Sequence, residues 1–289
     1  MVEVSGSMLV SGIINGLCLA GIYILIALGL TLILSIMNIL QFAHGEIYMI
    51  GAFITYYISV SLGMNIYLAI VIAMVVTGIL GLILERFVFR YFLDRFMPVV
   101  SVAIGLMLVL QTSVVLGFGL DVKHIPSPWP GALNLLAWKV PFDRLAAVFV
   151  CIALTSIVFI FLKRSKYGQA IVATAQNREG ALLQGINPNM MYAMVMAIGS
   201  ALAAVAGGFA GTIFILDPFM GATALLKGVT IIVLGGMGSL LGVIVGGIII
   251  GLSDGIISVV FGSAASTIVP LILVIFVLII RPEGIFGHE

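Results

Sequence analysis

The chain has 289 residues, of which 63% are hydrophobic and only 8% charged, and its 12 basic and 11 acidic residues leave a formal net charge of +1. A soluble domain carries roughly a quarter charged residues, so a water-soluble globular fold is excluded, and so small a net charge supplies no field for nucleic acid. Repeated apolar runs near the roughly 20 residues needed to cross about 30 Å of hydrocarbon predict an all-α, polytopic transmembrane helical bundle of about eight spans.

The predicted runs are about 8–36, 47–63, 66–84, 98–118, 145–162, 190–216, 228–252 and 256–280, within a single membrane domain over residues 1–289. The first begins near Met8, follows Glu3 rather than a basic segment, and is too long for a cleaved signal, so it reads as a retained span. It is long enough for one tilted helix or for a span plus a half-helix, and Gly29 and the Ser35–Asn38 region are where it could break. Cys18 and Cys151 both lie in apolar runs and read as small core residues rather than a disulfide.

After the first run comes NILQFAHGE, which brings Asn38, Gln41, His44 and Glu46 together between two apolar stretches. A carboxylate and an imidazole at membrane depth are costly and normally face a cavity or a partner, which makes these four candidates for a translocation path. The same residues also fit an interfacial turn in which Glu46 favours the positive end of the next helix, and the sequence leaves both readings open. A metal site is not expected, because the other histidines, His124 and His288, lie in a loop and in the tail.

Basic residues set the orientation. Arg86, Arg90 and Arg95 fall between runs three and four, and Lys163, Arg164, Lys166 and Arg178 between runs five and six. Two spans separate the clusters, so both lie on one face, and the positive-inside rule makes that face cytoplasmic. The loop of about 119–144 is then external. It holds Pro126, Pro128, Pro130, Trp129 and Trp138, although Lys123, Lys139 and Arg144 weaken the contrast. Eight simple spans would put both termini outside, whereas Arg281 argues for an internal end. Room is therefore left for a re-entrant or broken Gly-rich segment.

The cytoplasmic segment of about 163–189 contains KYGQAIVATAQNREGALLQGINPN. Gly168 opens it, a helix is predicted from Gln169 to Gln184, and Gly185 with Pro188 closes it. Ile171, Ala175, Leu182 and Leu183 form a weak apolar stripe, as expected either of a surface helix or of one that docks into a partner's groove. Further on, Gly238, Gly242 and Gly246 recur every four residues, as do Gly247, Gly251 and Gly255, and Gly207 with Gly211. That spacing lets helix backbones approach closely in lipid, within the subunit or between subunits. The Gly235-Gly236-Met237-Gly238 stretch could also open a helix along a substrate path.

Several absences narrow the function. There is no phosphate-binding loop of the G-x-x-x-x-G-K-[ST] type, so the chain does not itself bind ATP in that way. No catalytic motif, enzyme constellation or cofactor signature is present. Glu46, Glu85 and Asp254 all read as lying near run ends, which argues against an ion-coupled carrier with titratable groups inside its spans.

Three stretches together resemble one family. They are NGLCLAGIYILIALGLTLILSIMNILQFAHGEIYMIGAF over 15–53, RSKYGQAIVATAQNREGALLQGIN over 164–187, and VLGGMGSLLGVIVGGIIIGL over 233–252 with RPEGIFG over 281–287. The chain is similar to the permease subunits of bacterial ABC importers for branched-chain amino acids, the LivH-like permeases above all, with Gln41 where that family commonly has Asn. The resemblance implies a cell inner membrane location and a second homologous permease subunit. It also implies two ATP-binding ABC subunits beneath and a substrate-binding protein outside. It puts Gly168, Asn177, Glu179, Ala181, Gly185 and Ile186 in the ATPase-coupling segment. Relatives that carry urea, short amides or other amino acids leave the substrate open, and a stand-alone secondary carrier is the competing class.

Overall fold

The computed structural model describes residues 6–93, 96–126, 131–135 and 138–287. The readings that rest on Glu3, Arg95, Pro128, Trp129, Pro130 and His288 lie outside these residues, as do the side chains of Trp138 and Lys139.

Helix α1 runs unbroken from Gly6 to Met37. Of the two alternatives the continuous helix holds, and Gly29 is a contact point rather than a break: a Cβ there would press on the Gly199 backbone. The helix stops at Asn38, whose φ of 54° is the left-handed conformation that asparagine tolerates. After a six-residue turn, α2 (His44–Tyr56) continues into one π-helical turn over Tyr57–Ser61. Helix α3 (Ile66–Phe87) is capped by Asn65, whose side chain accepts from the Tyr67 amide, and α4 covers Phe96–Phe118. The loop that follows holds a small antiparallel hairpin, β1 (Ala132–Leu135) with β2 (Trp138–Pro141), in which Ala132 faces Pro141. Helix α5 (Phe142–Arg164) then leads to two short helices, α6 (Lys166–Gln176) and α7 (Arg178–Leu183).

Helix α8 (Pro188–Ile213) starts with Pro188 in its first turn, behind an Asn187 cap, where a missing amide proton costs nothing. Two runs are corrected after it. The predicted 228–252 run is α9 (Met220–Gly235) and the start of α10 (Leu240–Phe261), reversed at residues 236–239; α11 (Ser263–Ile280) follows Gly262. Gly236 and Gly238 hold φ of 100° and 86°, which only glycine adopts readily, so the chain turns back on glycines, and Ser239, the α10 cap, is too weakly polar to break the apolar run.

Among the described residues, six helices are long and apolar enough to cross a membrane, α9 and Ile268–Ile280 of α11 are shorter apolar helices, and α2 is a third short helix. The odd number of passes resolves the parity problem. Arg90 leans on the Asn189 carbonyl at 3.5 Å, Gly238 lies beside Ser35, and Ile285 and Phe286 donate to the carbonyls of Leu234 and Gly235. The basic loops and Arg281 therefore share one end of the bundle. At the other end Lys123 and Leu216 form a β-bridge.

The two glycine series of α10 face two partners. Gly242 and Gly246 lie against Gly235 and Ile231 of α9, while Gly247, Gly251 and Gly255 lie against Ile24, Ala20 and Gly16 of α1. Gly238 precedes the helix and serves the turn instead. Helices α1 and α8 form the buried centre, and α4 and α5 expose most of their apolar surface.

Candidate functional site

The polar turn after α1 folds back into the bundle. Gln41, His44 and Glu46 are all buried, and the His44 ring lies against Ile26 and Gly29 of α1, well above that helix's end at Met37. Asn38, by contrast, is exposed at the end of α1. The first turns of α2 and α9 meet here. A Cβ on Gly45 would overlap the Gly221 carbonyl, and Glu46 Oε2 faces Gly221. The first turns of two short helices thus meet at one buried carboxylate. Among the described residues, neither the Gln41 amide nor Glu46 Oε2 has a hydrogen-bond partner, and buried polar groups without one are uncommon enough to mark a functional place.

A second polar group was missed. Lys227, halfway along α9, places Nζ 2.7 and 2.8 Å from the two Asp254 carboxylate oxygens and 3.2 Å from the Ser266 carbonyl. The Tyr23 hydroxyl of α1 donates to Asp254 Oδ2 at 2.7 Å. Asp254 was read as lying near a run end; it sits inside α10, its side chain 7% exposed, as is that of Lys227. The signal was available: Lys227 is the sole charge between Asp217 and Asp254, and Asp254 the sole charge between Lys227 and Arg281. A lone cation and a lone anion in so apolar a stretch must pair. Glu85, also read as near a run end, does lie in the last turn of α3, where the buried carboxylate takes a two-pronged contact from Arg90 at 2.7 and 3.0 Å.

Two cavities open at opposite ends. The one at the basic end, about 520 Å³, is lined by Ser35, Asn38, Leu162, Ile171, Gln176 and Gly238 among others. The other, about 230 Å³, lies between α1, α2 and α9 beneath the loop at Phe214–Asp217.

The segment over 163–189 is two helices rather than one, broken at Asn177, whose extended backbone frees its side chain to cap α7 by accepting from the Gly180 amide at 2.9 Å. Ser165 caps α6 in the same way through the Gly168 amide at 2.8 Å. Gly168 lets α6 fold tightly onto α5, since a Cβ would overlap Phe161 and Leu162. Gly185, at φ 77°, ends α7 in a Schellman turn in which the Ile186 amide donates to the Ala181 carbonyl at 3.0 Å. Ala181 and Ile171 face inward, whereas Glu179, Ala175, Leu182 and Leu183 are exposed. Ile171 is thus removed from the expected outward stripe.

Residues 12–278 match the family model described as the permease component of the branched-chain amino acid transport system. The chain belongs to this family. It is 33% identical to the high-affinity branched-chain amino acid transport system permease protein BraD of Pseudomonas aeruginosa, over 96% of this chain and 95% of that one. It is 32% identical to the corresponding LivH of Escherichia coli, over 95% and 94%. The permease LivM of the same organism is 25% identical over 83% of this chain and 62% of its own length. Among solved structures, PsaBC from Streptococcus pneumoniae in complex with Fab superposes with a TM-score of 0.53 at 13% identity, covering 94% of this chain and 92% of that one. That likeness concerns the fold.

Proposed function

We propose that the chain is one permease subunit of an ATP-driven importer and forms half of the path for leucine, isoleucine and valine. A second homologous permease completes the path, two ATP-binding subunits dock at the basic, cytoplasmic end, and a substrate-binding protein delivers from outside. The family membership and the names of BraD and LivH support the substrate class, and the likeness to LivM supports a homologous partner.

The observation that carries the reading is the α6–α7 segment. Two separately capped helices at the basic end hold Tyr167, Val172, Leu182 and Leu183 exposed, in a chain with no nucleotide-binding loop of its own. A capped, rigid pair with an apolar outer face suits a groove on a motor subunit. Within it Gly168, Asn177, Ala181, Gly185 and Ile186 shape the pair, and Glu179 offers a charge to the partner. Lys227 and Asp254 are intramembrane charges, but each is the other's counter-ion, so neither stands as a free ion-coupling group.

Reconstitution tests this directly. Leucine uptake into proteoliposomes should need ATP on the α6–α7 side together with the ATPase subunits and the binding protein. It should persist when proton and sodium gradients are collapsed. Gradient-driven uptake by this chain alone would refute the importer.

A further inference from the structure

We propose that the cavity between α1, α2 and α9 is the outward-facing station for the transported amino acid, with Lys227 at its inner end binding the α-carboxylate and Asp217 at its mouth facing the α-ammonium. The proposal rests on the importer reading above and adds the residues that hold the substrate.

The cavity measures about 230 Å³, below the roughly 300–1,000 Å³ of drug-sized sites and on the scale of one amino acid. Its α9 wall is made by Met220, Thr223, Ala224 and Lys227, a spacing of three, four and seven residues that places all four on one helix face. Tyr23 and Tyr48 form the facing wall, and the 214–217 loop forms the rim. The lining therefore offers a cation, an acid and an apolar surface, with hydroxyl groups between them. A branched-chain amino acid presents the complementary set: a carboxylate, an ammonium and an apolar side chain.

Charge explains why a zwitterion belongs here. Lys227 and Asp254 together are neutral, and each of the ammonium's donors has an acceptor on Asp254 or Ser266. A zwitterion adds no net charge to this pair. An anion would leave one uncompensated buried charge, which is strongly unfavourable in a medium of low dielectric. Asp254 also keeps the Tyr23 hydroxyl bond when Lys227 turns part of its donor capacity to a substrate carboxylate. Asp217 spends one oxygen on the Phe219 amide at 2.7 Å, which fixes its carboxylate at the rim. A purely structural pair would need none of this: it would tie α9 to α10 and leave the adjoining cavity without consequence for transport.

The test uses the complete transporter, with both permeases, the ATPase subunits and the binding protein, in proteoliposomes. Thr223→Trp fills the cavity while keeping both Lys227 and Asp254 in the chain and should lower leucine uptake at least tenfold while the ATPase subunits still co-purify. If that variant assembles poorly, Thr223→Cys, modified from outside by an impermeant thiol reagent after assembly, should block uptake, and leucine-loaded binding protein should slow the modification. The paired change Lys227→Gln with Asp254→Asn keeps size and hydrogen bonding but removes both charges, and it should also cost at least tenfold in uptake. Wild-type rates in the assembled Thr223→Trp or modified Thr223→Cys transporter, or in the paired variant, would overturn the cavity while leaving the importer standing. Absence of ATP-dependent uptake by the wild-type complex would overturn both.

Discussion

At the scale of single residues, Lys227 and Asp254 carry the lesson about what a sequence conceals. Hydropathy read Lys227 as a boundary between two spans, because a lone ammonium interrupts an apolar window. It then merged the end of α9 with the start of α10, because the glycines that reverse the chain at 236–239 are not polar. The misplaced boundary made Asp254 look peripheral. The pair is satisfied as it stands, so removing one member should be far worse than removing both. Lys227→Met alone leaves a buried carboxylate without its counter-ion and should cost about 3–5 kcal/mol, seen as a large fall in the thermal midpoint of the detergent-purified chain. Lys227→Met with Asp254→Asn should recover most of that loss. If the single and double variants melt together, the charges are not coupled. The polar turn was the reverse case. Gln41, His44 and Glu46 were legible as a group, but only the fold-back beside Gly29 places them inside the bundle rather than at its surface.

At the scale of elements, the glycine spacing was legible and its partners were not. A repeat of every four residues announces close approach, yet it cannot say that Gly242 and Gly246 serve α9 while Gly247, Gly251 and Gly255 serve α1. Position within the contact decides the consequence of a side chain. Gly255→Val would drive a branched side chain into the Gly12 and Gly16 backbone and should abolish a monodisperse peak on size exclusion. Gly105→Val, on α4 with nothing within 4 Å of its Cβ position, should elute like the wild type. The α6–α7 pair offers a second test. The helix predicted from Gln169 to Gln184 breaks at Asn177 because an asparagine side chain can satisfy a free helix-start amide and so competes with helix continuation. Asn177→Ala should weaken α7 by about 1 kcal/mol, and Glu179→Arg should reverse the charge beside it. Both should lower recovery of the ATPase subunits on the tagged permease without loss of the permease from the membrane. Full recovery with both variants would remove α7 from the docking surface.

At the scale of the whole molecule, composition and run length were enough for an all-helical membrane bundle, because continuous apolar runs near 20 residues satisfy their backbone in lipid as helices, whereas barrel strands alternate over about 10 residues. The number of passes was not legible, because α9 and α10, each a pass, merged in the single apolar run of 228–252. Counting them gives an odd number of passes. The loop with Arg86 and Arg90, the α6–α7 segment and Arg281 then fall on one side, and the loop near Asp121 falls with the N-terminal end of α1 on the other. The positive-inside rule assigns the first side to the cytoplasm. Single cysteines check every step of this assignment, since Cys18 and Cys151 are buried and should stay silent. Cysteine at exposed Asp121 should react with an impermeant thiol reagent added to intact cells. Cysteine at exposed Gln184 should react only after the membrane is opened. The reverse pattern would turn the bundle over and move the α6–α7 face away from any cytoplasmic motor. Labelling of both sites from outside would mean that an even number of passes separates them, against the single crossing by α5 that lies between the two positions.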